Sequence, residues 1–524
     1  MLKNKFYITT SIAYANASPH IGYAMEICQA DVLARYHRMK SDDVFFLSGT
    51  DENGSKIKKT ALEKKIDPQK FVDENSAKFQ LLLDTLNISN NDFIRTTDRN
   101  RHWPTAQKLW NKLVESGDIY KSSYEGYYCV GCEAYLMEKD LVDGKCPNHK
   151  KAPEKIKEEN YFFRLSGYSK TIQEKIESEE LEIFPESRKN EILNVIKSGL
   201  KDISFSRPKK TLDWGVPVPN DETQTMYVWC DALTNYISAL GYGDDFLNTA
   251  NTELSSEYSE LSSVFKKYWP ADIHLIGKDI LRFHAAIWPA MLLSAGLPLP
   301  KKIFVHGFIT SGGQKMSKSL GNVIDPFEII DKYGVDALRY YLLKEIPSGG
   351  DGDFSFERFE EVYQADLANG IGNLTARIIA LATKNENCNS PFEKGDWRDF
   401  QTKVENIWQN YEKSLNNFKL NEALEITKKL MSACDEYIEQ NKPWQLEGEK
   451  KAEVIYNLLE SLRHIAWMIY PFLPETSSKI FTQLFADEKE RKIELNKTLK
   501  QAQKWGGLKA GIKIKKGEIL FPRL

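Results

Sequence analysis

Long hydrophobic runs are missing from this sequence of 524 residues. The stretch "AAIWPAMLLSAGLPLP" is cut by prolines and reads as a buried helix, not as a bilayer span. A signal-peptide core is missing as well: "MLKNK" leads straight into a strand-like "KFYITT". Neither sign of charge dominates, since 71 Lys and Arg face 74 Asp and Glu for a formal net charge of −3. That balance advertises no bulk attraction to nucleic acid, while a local basic surface remains compatible with the mean. Cysteine is sparse, at seven residues. The expectation is a cytoplasmic protein with no membrane partner, whose thiols stay reduced. There is no internal repeat and no low-complexity tract.

What is present is an ordinary globular balance of 41% apolar and 28% charged residues, in a chain too long for one core. Residues 1–118 alternate strand and helix: "KFYITT" is a strand, Ile21, Met25, Cys28 and Val32 form one apolar helical stripe, and "DVFFLSGTD" suits a buried parallel strand. Residues 119–222 change character, with cysteines, short strand-like pieces and many lysines and glutamates, and read as an insertion. Alternation resumes over 223–312 with "ADIHLIG", "KDILRFHAAIWPAMLLSAG" and "KKIFVHGFIT", the last read as one strand. Two βα halves around an insertion imply an α/β fold, a split doubly wound sheet of the Rossmann type with ligands at the carboxyl ends of its strands. A loop region at 313–354 leads to a helical bundle over 355–488, where "LANGIGNLTARIIALATK" and "EVIYNLLESLRHIAWMIYPFL" are clear helices. The tail at 489–524 is basic, and "GIKIKKGEILFPRL" alternates like a short hairpin.

Three motifs carry chemistry. In "ASPHIGYA" a helix opens at Ser18 or Pro19, so unpartnered first-turn amides and the helix dipole would offer a phosphate site. Gly22 admits a ligand to the backbone there, and His20 can donate to a phosphate oxygen. The glycine-rich loop "SGGQKMSKSLGN" follows a buried strand and supplies Lys315 and Lys318 as point charges for phosphates. Cys129 and Cys132 of "CVGC", then Cys146 and His149 of "CPNH", form C-x2-C and C-x2-H pairs, a closed tetrahedral donor set for one structural zinc. A disulfide is the alternative, disfavoured in a reducing compartment. The other cysteines, 28, 230, 388 and 434, read as core. The aromatic set Tyr14, Trp229, Tyr236, Phe283, His284 and Trp288 reads as core unless the fold gathers it at one end of the sheet. There it could line an apolar pocket suited to a thioether.

Together the first two motifs resemble the HIGH and KMSKS signatures of class I aminoacyl-tRNA synthetases, the second present letter for letter. Over essentially its full length the chain is similar to the methionyl branch of that family, through "TSIAYANASPHIG", "GTDENG", "YVWCDAL", "GKDILRFH", "HGFIT" and "NKPW" in order. The resemblance implies a methionine pocket of Ile12, Tyr14, Trp229, Ala232, Leu233, Tyr236, Ile280, His284 and Trp288, with Asp51 facing the substrate's ammonium group. It implies an ATP site of His20, Gly22, Tyr23, His306, Lys315 and Lys318, with His20, Gly22 and the two lysines carrying catalysis. Arg207 stands where the family has an arginine near the active site. The insertion becomes a zinc-bearing connective domain, and the bundle a domain reading the CAU anticodon through Asn373, Arg377 and Trp444, the last a stacking platform. Two positions depart from the pattern: Tyr23 and Asn53 stand where the family usually has histidine.

The implied reaction joins ATP, with its magnesium, and methionine to give methionyl adenylate, then charges tRNA(Met). Leucyl, isoleucyl and valyl relatives are set aside by the shortness of the insertion, which leaves no room for an editing domain. With no added tRNA-binding module after "LFPRL", a monomer is expected. The tail has two destinations open, the catalytic domain or tRNA. Rival readings are a synthetase for another amino acid, a ligase descended from one that needs no tRNA, or a zinc-containing RNA-binding protein with a degenerate core. Intact Asp51, Lys315 and Lys318 speak against the last.

Overall fold

The computed structural model of the chain describes residues 3–129, 134–136, 138, 141–147, 150–243, 263–316, 321–384, 397–509 and 512–524. Its central sheet is built from β1 (Lys5–Thr10), β2 (Ala13–Tyr14), β3 (Asp43–Asp51), β4 (Asp92–Arg95), β5 (Glu182–Phe184), β6 (Ile273–Gly277) and β7 (Lys302–His306), all paired in parallel. From β1 the chain moves outward through β3 to β4, then resumes on the opposite side with β6 and β7. The order therefore reverses between β1 and β6, where a doubly wound sheet opens its ligand crevice. The inserted segment supplies the edge strand β5, whose Glu182–Phe184 pairs with Lys302–Phe304.

Side-chain alternation divides the sheet between two cores. Phe6, Ile8, Leu275 and Phe304 face α1 (Ile21–Met39) and α2 (Val335–Lys344), in an apolar core that runs on without interruption into the helical bundle. Tyr7, Leu47, Ile276, Ile303 and Val305 face the other way, against helix His102–Glu115, helices of the insertion and Trp288. The remainder of the insertion is a four-stranded antiparallel sheet organised on Ile119–Cys129 and Glu154–Phe163.

The bundle begins with a π-helical turn, Tyr363–Gly372, and continues as α3 (Asn373–Thr383), helix Trp397–Asn416, α4 (Leu420–Asn441), α5 (Gly448–Ile469) and α6 (Pro474–Leu484). Three sequence expectations are corrected here. "KKIFVHGFIT" is not one strand: a Cβ at Gly307 would stand 2.1 Å from the Gly350 carbonyl oxygen. The chain leaves the main sheet there, and Ile309–Ser311 joins Gln314–Lys315 and Gly352–Phe354 in a separate sheet. "LANGIGNLTARIIALATK" is not one regular helix, because Gly370 (φ −83°, ψ −105°) breaks it before α3. The tail forms no hairpin among the described residues. Instead Lys515 N–H donates to Gln483 O, Ala486 N–H donates to Lys513 O, and Phe521 and Pro522 meet Tyr363. The end of α6 takes up the backbone groups that a hairpin would have paired internally, so the tail lies on the bundle. Among the described residues no helix is long and apolar enough to cross a membrane.

Candidate active site

A cavity of about 570 Å³ opens at the carboxyl ends of β1, β3, β6 and β7. It gathers Ile12, Tyr14, His20, Gly22, Tyr23, Asp51, Trp229, Ala232, Leu233, Tyr236, Ile280, His284 and His306, residues scattered over almost three hundred positions of sequence.

The start of α1 differs from expectation. The helix opens at Ile21 with His20 as its cap, not at Ser18 or Pro19. Its first amides are engaged within the protein: Ile21 N–H on Ile324 O, Gly22 N–H on His20 Nδ1 (3.0 Å), and Tyr23 and Ala24 N–H on His20 O. An anion therefore meets the His20 ring more than bare backbone. Because Nδ1 accepts, Nε2 carries the proton of the neutral ring and can donate outward. Gly22 is required by this cap, since a Cβ would lie 2.9 Å from His20 Cε1 and 3.0 Å from Nδ1. Tyr23 is buried, its ring edge-on to Phe79 and its hydroxyl 3.1 Å from Ser48 Oγ; burial raises its pKa, so it stays a neutral phenol.

The apolar wall rests on aromatic stacking. Trp229 lies on Phe283 at 3.7 Å, so Phe283 is a backing residue outside the cavity lining. His284 Nδ1 is 3.0 Å from Ile280 O, which can only accept, so that nitrogen carries the proton and Nε2 accepts from Tyr236 Oη at 2.7 Å. Burial lowers the pKa of His284 to about 4, leaving a neutral imidazole. Trp288 does not line the cavity. It is fully buried behind Tyr236 and donates to His274 Nε2 at 3.3 Å. Arg207 is likewise off the cavity, buried against Tyr227 and bonded to Ser204 Oγ and Ser206 O. Asn53 is turned away too, donating to Asp231 (2.5 Å) and Thr96 O; Asp231 in turn holds His102.

Sequence reasoning missed Glu26, Asp279, Asn235 and Lys56, all on the lining. Glu26 had a legible signal, an acid four residues after Gly22 on the helix face that continues through Ala30 and Leu33. Asp279 lay inside the quoted "GKDILRFH". Lys56 stands 5.5 Å over the Tyr14 ring, and nothing in its sequence surroundings marked it. Of the lysine loop, Lys318 lies outside the described residues, and only the backbone of Lys315 is described, paired with Thr310.

A family model described as tRNA synthetases class I (M) matches residues 6–155 and 148–379, and one described as Anticodon-binding domain of tRNA ligase matches 398–518. The methionine–tRNA ligase of Caldanaerobacter subterraneus subsp. tengcongensis is 44% identical over 531 residues, spanning 100% of this chain and 79% of that protein. The chain belongs to the methionine–tRNA ligases. The Rickettsia felis member is 43% identical over 100% of this chain and 99% of its own. The Mycobacterium tuberculosis methionyl-tRNA synthetase in complex with methionyl-adenylate superposes with a TM-score of 0.88 at 35% identity, covering 99% of this chain and 100% of that one.

In this ligase fold the bundle presents Asn373 exposed at the start of α3. Arg377, one turn on, is half-buried and paired with Asp435 and Glu439 of α4, each at 2.8 Å. Trp444 is 54% exposed on the turn Pro443–Gln445 between α4 and α5. Of the expected metal ligands, Cys132 and His149 lie outside the described residues. Cys129 and Cys146 are buried, yet belong to none of the three apolar clusters, and Lys150 N–H closes a turn onto Cys146 O. Two buried thiols are soft donors of the kind a structural zinc takes. Among the described residues no group of three or more His, Cys, Asp or Glu is placed to hold a metal. The remaining described cysteines, 28, 230 and 434, are buried in the cores as expected; Cys388 lies outside.

Proposed function

We propose that the crevice activates methionine with ATP and that the bundle selects the tRNA that receives it. The observation that carries this reading is the meeting, in one cavity, of the His20 cap, Asp51 and the Tyr14–Trp229–Tyr236 wall with its neutral histidine. The substrate's thioether lies against Trp229 and Tyr236, where sulfur–aromatic contact is favourable, and its ammonium faces Asp51. Its carboxylate oxygen attacks the α-phosphorus in line, the bond to the β-phosphate oxygen breaks, and methionyl adenylate and pyrophosphate result. His20 donates from Nε2 to phosphate oxygens, while Lys315 and Lys318 close over the departing pyrophosphate. Magnesium accompanies ATP and shields its phosphate charge. The terminal ribose hydroxyl of tRNA(Met) then attacks the activated carbonyl, releasing AMP.

Asn373, Arg377 and Trp444 read the CAU anticodon in this account, and Cys129, Cys132, Cys146 and His149 hold one structural zinc. The protein works as a cytoplasmic monomer. Tyr23 replaces the family's usual histidine without taking over its charge, since burial keeps it a neutral phenol, with its hydroxyl against Ser48 Oγ. ATP–pyrophosphate exchange against each amino acid tests the assignment. Methionine is expected as the sole strong substrate; stronger exchange with any other amino acid overturns it.

A further inference from the structure

We propose that Glu26 is a positioning residue of the nucleotide site, whose single carboxylate ties the two lips of the crevice together and holds His306 as an imidazolium. The proposal rests on the assignment of this cavity to ATP.

Glu26 projects from the second turn of α1 and is 6% exposed. Its Oε1 accepts from Ser11 N–H at 2.8 Å and from Ser11 O–H at 2.5 Å, and Ser11 is the first residue beyond β1. Its Oε2 lies 3.0 Å from His306 Nε2, on the last residue of β7. One side chain thus reaches across the switch point from the β1 lip to the β7 lip. The His306 ring is held on its other side as well, with Nδ1 2.7 Å from Gly307 O. It packs against Gly277, where a Cβ would come within 3.6 Å of its Cε1 and Nε2.

The donor count fixes the protonation. A carbonyl oxygen can only accept, so Nδ1 carries a proton. Glu26 Oε1 is taken up by the two Ser11 donors and its Oε2 is presented to the ring as an acceptor, so Nε2 carries the other. The charged groups facing the ring from neighbouring elements are Glu26 on α1 and Asp279 after β6; Lys278 is drawn away to Asp351. Burial works against a charged ring. The hydrogen bond and charge of Glu26, the Gly307 carbonyl and the Asp279 charge outweigh it and raise the ring's pKa. The consequence for ATP is electrostatic. A bare carboxylate in this wall would repel phosphates, whereas the ion pair, both of whose members line the cavity, carries no net charge there.

Spectra of ¹⁵N-histidine-labelled protein test the protonation directly, with Nδ1 and Nε2 of His306 assigned through His306→Gln. At pH 8 both nitrogens are expected in the protonated pattern. In Glu26→Gln the amide is pinned by the Ser11 donors with its NH₂ toward His306, so Nε2 must become an acceptor and the ring neutral. In exchange assays Glu26→Gln and His306→Gln are each expected to raise the KM for ATP about tenfold, with the KM for methionine within twofold. Because the wild-type ring stays charged over that span, the KM for ATP in wild type is expected to show no titration of His306 between pH 6 and 8. A single-tautomer neutral His306 in wild type at pH 8 overturns the proposal, whatever the kinetics. So does an imidazolium whose loss leaves the KM for ATP unchanged. Absence of ATP-dependent exchange in the wild type with every amino acid instead defeats the assignment of the cavity itself.

Discussion

Arg339 Nη2 lies 2.7 Å from Asp31 Oδ2, and both side chains are wholly shielded from water. The same guanidinium donates to the carbonyls of Leu86, Pro471 and Phe472, and Asp31 accepts further from Arg35 and Ser89. The pair therefore bolts α1, which carries the His20 cap, to α2 and to the turn between α5 and α6 of the bundle. Breaking a buried pair from one side leaves an uncompensated charge, so Asp31→Asn is expected to cost about 3–5 kcal/mol in urea unfolding. Burial pushes the Asp31 carboxyl up, but Arg339 and Arg35 outweigh it and hold the pKa below its usual value. As pH falls the unfolded chain takes up this proton first. The contribution of the pair is therefore complete above the ordinary carboxylate range and is lost as pH falls through the lower folded-state value. Unfolding midpoints at pH 7 and at progressively lower pH should show the gap between wild type and Asp31→Asn closing in acid; a constant gap would count against the ionised pair.

Gly22→Ala separates the cap from the backbone. The residue sits in ordinary helical conformation, so alanine is tolerated by the chain. The obstacle is its Cβ, 2.9 Å from the His20 ring. Losing a side-chain cap costs about 1 kcal/mol of stability. If His20 Nε2 must point at phosphate, the turned ring should also lower exchange kcat/KM by at least about tenfold, or about 1.4 kcal/mol. A folded variant with wild-type exchange would remove the orientation of His20 from the mechanism.

His284 gives a pH test with the opposite charge type. With its pKa lowered to about 4 by burial, the ring stays neutral well below the ordinary histidine range. Methionine affinity, followed through Trp229 fluorescence, is expected to change less than about twofold from pH 8 to pH 5, a span over which an unperturbed histidine would become largely charged. Stability behaves differently, because the unfolded chain binds a proton here from about pH 6.5 downward while the folded one resists until about pH 4. That contribution is whole at neutral pH and erodes as pH falls through this window. Tyr236→Phe leaves Nε2 a buried acceptor without its donor, at a cost of about 1–3 kcal/mol.

Much of this was legible because periodicity and order are local properties of a sequence. β1 and β3 followed from short apolar runs and the stripe of α1 from three- and four-residue steps, and the doubly wound sheet followed from two βα halves around an insertion. What escaped was set by contacts distant in sequence. The break at Gly307 depends on the Gly350 carbonyl, and the engaged amides of α1 depend on Ile324 and on the His20 ring folding back. Trp288 and Arg207 carried the expected residue types, yet lie behind the cavity wall. Glu26 was hidden by habit: an acid on a buried helix face is usually assigned to a solvated edge until its partners are known, and Ser11, just past β1, and His306, at the end of β7, are distant in sequence.

Trp444 gives a test of the tRNA side. An indole 54% exposed on a turn between two helices contributes little to the bundle, so Trp444→Ala is expected to leave the thermal midpoint and ATP–pyrophosphate exchange essentially unchanged. Stacking on a single base is worth about 1–3 kcal/mol by alanine substitution, so aminoacylation kcat/KM should fall roughly 5- to 150-fold. Arg377 is already paired with Asp435 and Glu439, but each pair is open to solvent and worth about 0–1 kcal/mol. A base edge can therefore displace them at small cost, and Asp435→Asn should weaken tRNA charging far less than Arg377→Ala. Equal losses of exchange and aminoacylation in Trp444→Ala would move this residue out of the anticodon site and into the structural framework of the bundle.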